Sequence, residues 1–544
     1  PDIKGYIAHM RGDATQSTRA AELAQYVSLT IAIAGLQFGW SVETGFGTPY
    51  LLSLGLRKSL VSLVWLAGPL SGLIMQPLVG ILSDKSTSRF GRRRPFIVGS
   101  TVCTVLCLCV IGWTRQITGG HETLTIWLAV VAFYFMDFAI NCLQASLRAI
   151  IVDVLPASRQ DAGTAWASRM IGVGNVTGYL MGFLDLVHLL PFLGSTHMQV
   201  LTTIASTVLG VTVAITCYFT SEKPLVRPPT EANDSLEAFR ALFTSLRSLP
   251  LVIKRTFRIQ LFAWIGWFPF LFYGTTYVAD LYVAAHSTDG GSEAETMERG
   301  TRAGSLAMFV HALASLASSL ILPMFTYSAA VGLPQQQPGS RSSSVLSNIK
   351  RVLDGIRARL MVSLPTMWAM SLVIFSLAML LTLITSTVFV ASMILAICGI
   401  SWAVAMWVPF SIIGETIRGV ASLPYESQMH AAPASGDYVQ LSNNDIPMEV
   451  IDDHGLGQDA DPQPVPPSTE MSAGTILGIH NVFIVIPQFI TAFASSLIFA
   501  MFEHIQGSGK AGGQHAQQIA LVMSLGGLSA AVAAYLSWKL RSQS

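Results

Sequence analysis

The chain has 544 residues, 51% of them hydrophobic and only 12% charged, with a formal net charge of +1. Soluble domains carry roughly 25% charged residues, so this composition excludes an ordinary soluble protein and leaves one that crosses a membrane many times. The basic residues sit in short clusters beside apolar runs, which excludes nucleic acid as a partner. The six cysteines (Cys103, Cys107, Cys109, Cys142, Cys217, Cys398) lack metal-ligand spacing and read as small packing residues, so no metal or other cofactor is expected.

At about 20 apolar residues per span, twelve transmembrane helices are predicted: 26–53, 59–82, 95–113, 124–152, 163–190, 199–220, 257–285, 302–324, 362–387, 390–418, 472–502 and 516–539. The chain opens at Pro1 with no basic-then-apolar leader, so the first span is expected to serve for insertion. Residues 1–25 form a terminal segment and 221–256 a central loop between the six-span halves 26–220 and 257–540. Lys85, Arg89 and Arg92 to Arg94 follow span two, Lys223 to Arg258 lie between spans six and seven, and Arg341 to Arg359 between eight and nine. By the positive-inside rule these loops and both termini are cytoplasmic. Two further stretches within the second half, about 328–360 and 421–470, have the composition of disordered loops. The second is acidic without Lys or Arg, a solvated linker or a regulatory segment.

Polar residues inside these spans carry the chemistry. Span one holds Glu43. Span four holds Asp137, Asn141, Gln144 and Arg148, and at 100° per residue the last three fall within about 40° of Asp137, so all four share one stripe. Such a stripe cannot face lipid, and buried ionisable groups at this depth mark a substrate or proton pathway. The alternative is a permanent internal ion pair that holds spans together. Burial disfavours a charged carboxylate and a nearby guanidinium favours it, so a change in the pairing of Asp137 and Arg148 would change the affinity for a proton. Span five carries Gly174, Gly178 and Gly182, overlapping G-x-x-x-G steps that mean close helix packing; Asn175-Val176-Thr177 between them matches a glycosylation acceptor but lies within the bilayer.

The halves repeat. Gly39-Trp40, Gly47-Thr48 and Tyr50 recur at identical spacing as Gly266-Trp267, Gly274-Thr275 and Tyr277, which maps span one onto span seven. Two parallel six-span repeats are what a major-facilitator architecture requires, with the substrate site near the midplane between them.

The run Gln76-Pro77-Leu78-Val79-Gly80-Ile81-Leu82-Ser83-Asp84, followed by Ser88-Arg89-Phe90-Gly91-Arg92-Arg93-Arg94-Pro95, resembles the loop two-to-three motif of the major facilitator superfamily. In this form it looks like the sucrose-transporter branch of the glycoside, pentoside and hexuronide cation symporters, in a fungal style. Leu36 to Trp40, Trp65 to Pro69, the Asp137–Arg148 span, Gly174-Asn175, Trp267 to Phe270 and Val485 to Gln488 extend the likeness over both halves. The resemblance implies an all-α fold of twelve helices and a cytoplasmic gate motif of Gly80, Asp84, Arg89, Gly91, Arg92, Arg93 and Arg94. Asp84 would accept bonds from an adjacent helix N-terminus while the arginines pair across the cytoplasmic face, a latch expected to stabilise the outward-facing state. A bland alternative is that the cluster sets topology and touches anionic lipid.

In plant relatives an Asp and an Arg at this spacing are implicated in proton coupling, which by resemblance gives that role to Asp137 and Arg148, with Glu43 as a second acid where plant carriers have a neutral residue. The expected sugar-binding set is Asp137, Asn141, Gln144, Arg148 and Glu43, with Trp40, Trp267, Phe270 and Tyr273 as aromatic faces for sugar rings. Lys58 stands where many plant relatives have a histidine, and Gly274 and Thr276 where they have acids, departures that bear on selectivity. The expected protein is thus a monomeric, multi-pass symporter of sucrose or maltose-type alpha-glucosides with a proton, surrounded by lipid, in the plasma membrane or alternatively the vacuolar membrane. A proton-independent carrier and a transporter-like sugar sensor are the competing expectations; an enzyme is not expected.

Overall fold

An apolar run in lipid finds no water for its N–H and C=O groups and must satisfy them internally, as a helix does. The computed structural model describes residues 3–84, 86–156, 159–222, 249–286, 293–327, 361–421, 473–506 and 512–541, and among them twelve helical rods form. The first half contains α1 (Ile3–Ser53), α2 in two pieces (Lys58–Val64 and Ala67–Asp84), α3 (Arg94–Gly112), α4 (Glu122–Val154), α5 (Gln160–Phe183) and α6 (His197–Phe219). The second contains α7 (Leu251–Ala285), α8 (Glu293–Ile321), α9 (Leu364–Leu381), α10 (Val388–Ala421), α11 (Ala473–Gln506) and α12 (Gly512–Arg541). The two-residue strands Thr326–Tyr327 and Val362–Ser363 pair in parallel between α8 and α9.

Local chemistry sets several boundaries. Pro95 and Pro365 start α3 and α9, where a missing N–H costs nothing. A capping box opens α6: Thr196 Oγ1 accepts from Gln199 N, and Gln199 Oε1 accepts from Thr196 N, both at 3.3 Å. The first helix begins well before the expected residue 26, and α5 stops at Phe183 because Asp185 caps a new short helix, Leu186–Leu189. The expected loops 328–360 and 421–470 lie outside the described residues but for Ala421, as does most of the central loop.

Nine of the twelve rods are apolar enough over 18 residues to cross a membrane by length and hydropathy; α1, α5 and α7 fall short. These three pack mainly on protein: α1 on α5, α6 and α7, and α5 on α8. They therefore tolerate Gln37, Ser41, Glu43 and Asn175 within their lengths. In α4 the division is by face. Trp127, Val131 and Phe135 are outward and exposed, whereas Asp137 is buried at 5%, as the polar stripe requires.

Each half repeats one packing scheme: α1 on α5 and α6 with α3 on α4 and α6, then α7 on α11 and α12 with α9 on α10 and α12. The repeat extends to single bonds. Tyr50 of α1 donates to Ile111 O at the end of α3 (2.7 Å), and its counterpart Tyr277 of α7 donates to Thr382 O at the end of α9 (2.8 Å). Between halves α5 meets α8 and α2 meets α11.

Gly174, Gly178 and Gly182 press α5 onto α1. A Cβ on Gly178 would stand 2.7 Å from Ser41 Cβ and 3.3 Å from Phe38 O, and backbone cannot yield as a flexible side chain does. Gly178→Val is therefore expected to abolish the monodisperse folded peak in detergent chromatography, overpacking here costing about 1–3 kcal/mol or more; a normal peak would show that α1 and α5 have room to part.

Candidate functional site

At mid-depth α4 brings Asp137 to Glu43 of α1. Both side chains are buried, at 5% and 2% exposure, with their carboxyl groups close enough to interact. Glu43 Oε2 is buried with no hydrogen-bond donor among the described residues. Asp137 is thus paired with Glu43 and not with Arg148. The reason is rise: eleven residues restore the azimuth but separate two positions by roughly 16 Å along a helix. Arg148 is exposed.

Amides continue the polar surface away from the acids. Asn141 Nδ2 donates to Ser71 Oγ of α2 (2.8 Å) and to Asp137 O (3.1 Å), and Gln76 Nε2 reaches Asn141 Oδ1 at 3.5 Å. Gly68 and Gly72 let α2 come this close: a Cβ on Gly72 would stand 3.4 Å from Asn141 Oδ1. Gln76 Oε1 in turn accepts from Asn481 Nδ2 of α11 at 3.1 Å, which carries the network into the second half. Gln144 is half-buried one turn below Asn141. On the other side of α1, Gln37 and Ser41 both donate to Asn175 Oδ1 (2.9 and 3.0 Å), so the acceptor-like Asn175 sequence is internal.

The aromatic expectation divides. Trp40 retains partial exposure. Trp267, Phe270 and Tyr273 are only 1%, 0% and 2% exposed; in this conformation Trp267 and Phe270 are core, and Tyr273 borders only a water-sized void at the far end. Trp267 packs on Phe375 of α9 (centroids 3.9 Å) and Trp402 of α10 (4.9 Å), Phe270 packs on His311 of α8 (4.9 Å), and Tyr273 donates to Ser62 Oγ of α2 at 2.9 Å.

The end of the bundle opposite the Arg92–Arg94 loop, here the far end, is shut. Lys58 Nζ pairs with Asp280 Oδ2 across the halves at 2.9 Å, with side-chain exposures of 14% and 4%. Glu503 of α11 accepts from Ser59 N (3.2 Å) and Ser59 Oγ (2.9 Å) at the start of α2. Thr48 Oγ1 donates to Phe272 O (3.1 Å), and Trp65 stacks on Phe272 with centroids 4.7 Å apart. Between these contacts a cavity of only about 10 Å³ remains, lined by Thr48, Lys58, Tyr273 and Phe499 among others, room for one water. Asp280 and Glu503 escaped the sequence reading. The available signal was that isolated charges stand at the same end of spans two, seven and eleven.

A second clasp at this end joins α5 to α8. His188 Nδ1 and Arg302 Nη1 approach the two oxygens of Asp185, at 3.0 and 2.9 Å, and Arg302 Nε donates to Phe183 O. The hydrogen bond from His188, with Arg302 beside it, holds the Asp185 carboxyl down at about 2. A depressed acid stabilises the fold above its unfolded pKa and loses that contribution only as pH falls through its folded value. The stability gap between the parent and Asp185→Asn is thus expected to persist at pH 5 and to close between about pH 4 and 2, as read by thermal unfolding in detergent; a gap that closes by pH 5 would mean the pair is not formed.

At the basic end Gly91 has φ +104°, a left-handed turn that favours glycine. Arg92 and Arg93 both pair with Asp153 at the end of α4 (Arg92 Nε at 3.0 Å, Arg93 Nε at 2.8 Å), and Glu222 after α6 accepts from Arg93 N at 2.7 Å and Arg94 N at 3.3 Å. Arg93 also bonds Ser83, and the Arg89 guanidinium lies 5.2 Å from the Phe90 ring centroid. These contacts tie the first half to itself, and they are made while the far end is closed. Gly80 is half-buried with open space at its Cβ position, and the Asp84 side chain lies outside the described residues.

Two six-helix repeats around a buried acidic midplane site, with one end sealed, define a secondary transporter and not an enzyme. Residues 32–298 match the family model MFS/sugar transport protein. The chain is 34% identical to the general alpha-glucoside permease of Schizosaccharomyces pombe (strain 972 / ATCC 24843) over 94% of this chain and 92% of that one. It is 30% identical to the sucrose transport protein SUT5 of Oryza sativa subsp. indica, over 53% of this chain and 58% of that protein. A solved D-xylose-proton symporter has the same fold, with a TM-score of 0.53 at 12% identity over 95% of this chain and 97% of that one. The chain belongs to the sugar-transporting branch of the major facilitator superfamily.

Proposed function

We propose that the chain moves an alpha-glucoside, maltose or sucrose, together with a proton by alternating access between its halves. The observation that carries this reading is the buried contact of Glu43 with Asp137. Two carboxylates in contact within a low-dielectric core repel, and one proton shared between them removes the repulsion. Glu43 Oε2, buried in this conformation, accepts from a sugar hydroxyl once the helices around it part, and Asn141 and Gln144 add donors and acceptors. Sugar binding then stabilises the protonated pair, and loss of the proton on the other side weakens the sugar's hold. Arg148, three turns along α4, is too far for direct pairing and contributes to coupling as a positive charge on the same stripe.

The basic end lies in the cytoplasm with both termini, by the charge of its loops. The sealed far end therefore faces outward, and the carrier is closed to the outside in this conformation. A monomer in the plasma membrane suffices for uptake. The names of the relatives support the substrate class, and the permease likeness covers nearly the whole chain.

The test is uptake of labelled maltose and sucrose by cells expressing the chain, with and without a protonophore. Accumulation above the medium that collapses with protonophore is the expected result. Flux indifferent to protonophore would leave a facilitator, and binding without flux a sensor.

A further inference from the structure

A sugar held between two halves needs polar contacts from both, yet the second half's aromatic candidates are packed away at 2% exposure or less. We propose that Gln76 and Asn481 are sugar-binding residues, and that their amide pair is the contact a hydroxyl inserts into when the carrier loads. This rests on the sugar-transport reading given above.

Gln76 lies within the apolar span Lys58–Gly80 and Asn481 within Ile479–His504, each toward the basic end of its span. Gln76 is in reach of Asn141 (3.5 Å), whose own amide bonds the backbone oxygen of Asp137 (3.1 Å). The pair therefore stands two turns of α2 from Gly68, which adjoins the Asp137 carboxyl, and joins the amide strip of the first half to the second half.

Both amides are only half-buried, unlike the neighbouring His480, which is 1% exposed and engaged by Gln260 of α7 at 2.8 Å. Of these two α11 side chains, Asn481 is the one turned to the first half. A neutral amide–amide bond has a small net worth, since each partner exchanges readily for water or a hydroxyl. A hydroxyl placed between the two carboxamides donates to Gln76 Oε1 and accepts from Asn481 Nδ2, so one direct bond becomes two through the ligand. Sugar binding would thus bridge the halves, and empty carrier keeps them joined by the direct bond.

The test compares sugar KM and maximal rate for the parent, Gln76→Ala, Asn481→Leu and the double variant, in vesicles with an imposed pH gradient and labelled maltose and sucrose. Each single change is expected to raise KM roughly tenfold, by more than it lowers the maximal rate, and the double variant to fall short of the product of the singles because they act as one unit. Asn481→Gln, which keeps the amide, should recover part of the loss, and Asn481→Ser serves where the Leu variant fails to insert. KM unchanged while rate falls with abundance would reduce the pair to a structural strut and overturn the proposal. If the parent moves neither sugar, the transport reading itself falls.

Discussion

Asp137→Asn should reduce the steady-state sugar accumulation ratio to about one while labelled-sugar exchange persists. The magnitude follows from the gradient. One proton crossing about 100 mV and one pH unit delivers roughly 2.3 plus 1.4 kcal/mol, which sustains a ratio on the order of several hundredfold. Asparagine matches aspartate in shape and still offers Glu43 a donor, so the α1–α4 contact and the sugar site survive; what disappears is the titratable partner. Glu43→Gln tests the other member: Asp137 remains able to take a proton, so accumulation should be weakened and not abolished. Full proton-driven accumulation by the Asp137 variant would refute the assignment.

Asp280→Ala should move the resting carrier toward an open far end. Lys58 would be left 14% exposed without its partner, and breaking one side of a buried pair costs about 3–5 kcal/mol. That penalty falls on the closed state alone, which corresponds to a roughly hundredfold or greater shift in the ratio of the two states. A cysteine at Val61, which is 1% exposed here and beside the sealed cavity, reports the change to a membrane-impermeant maleimide, with the parent carrying its native cysteines as background. Labelling should rise in Asp280→Ala and return toward the parent in the charge exchange Lys58→Asp with Asp280→Lys. Equal labelling in all of them would mean that Lys58 and Asp280 do not govern access.

Much of the scaffold was legible because membrane helices obey one-dimensional rules. Apolar length located the rods, and the 3.6-residue period predicted that Asp137 and Asn141 turn away from lipid, as they do. Partners were harder. Azimuth alone put Arg148 beside Asp137, whereas the contact belongs to Glu43, on a helix remote in sequence. Aromatic content made Trp267 and Phe270 look like sugar faces, but composition does not distinguish a cavity wall from the packing of α7 on α9 and α10. The Lys58–Asp280 and Ser59–Glu503 contacts join residues 222 and 444 positions apart, and no local pattern encodes such a pairing.

The second helix breaks near Trp65, and its first piece, Lys58–Val64, has no N-terminal side-chain cap of its own. The carboxylate that accepts from the Ser59 N–H at that N-terminus is on loan from Glu503 of the opposing half. Parting the halves strips this seven-residue piece of its anion, and a helix so short does not hold itself together unaided. Separation at the far end therefore costs this turn its cap, and any entropy the turn gains offsets part of the cost of breaking the polar bonds at the rim.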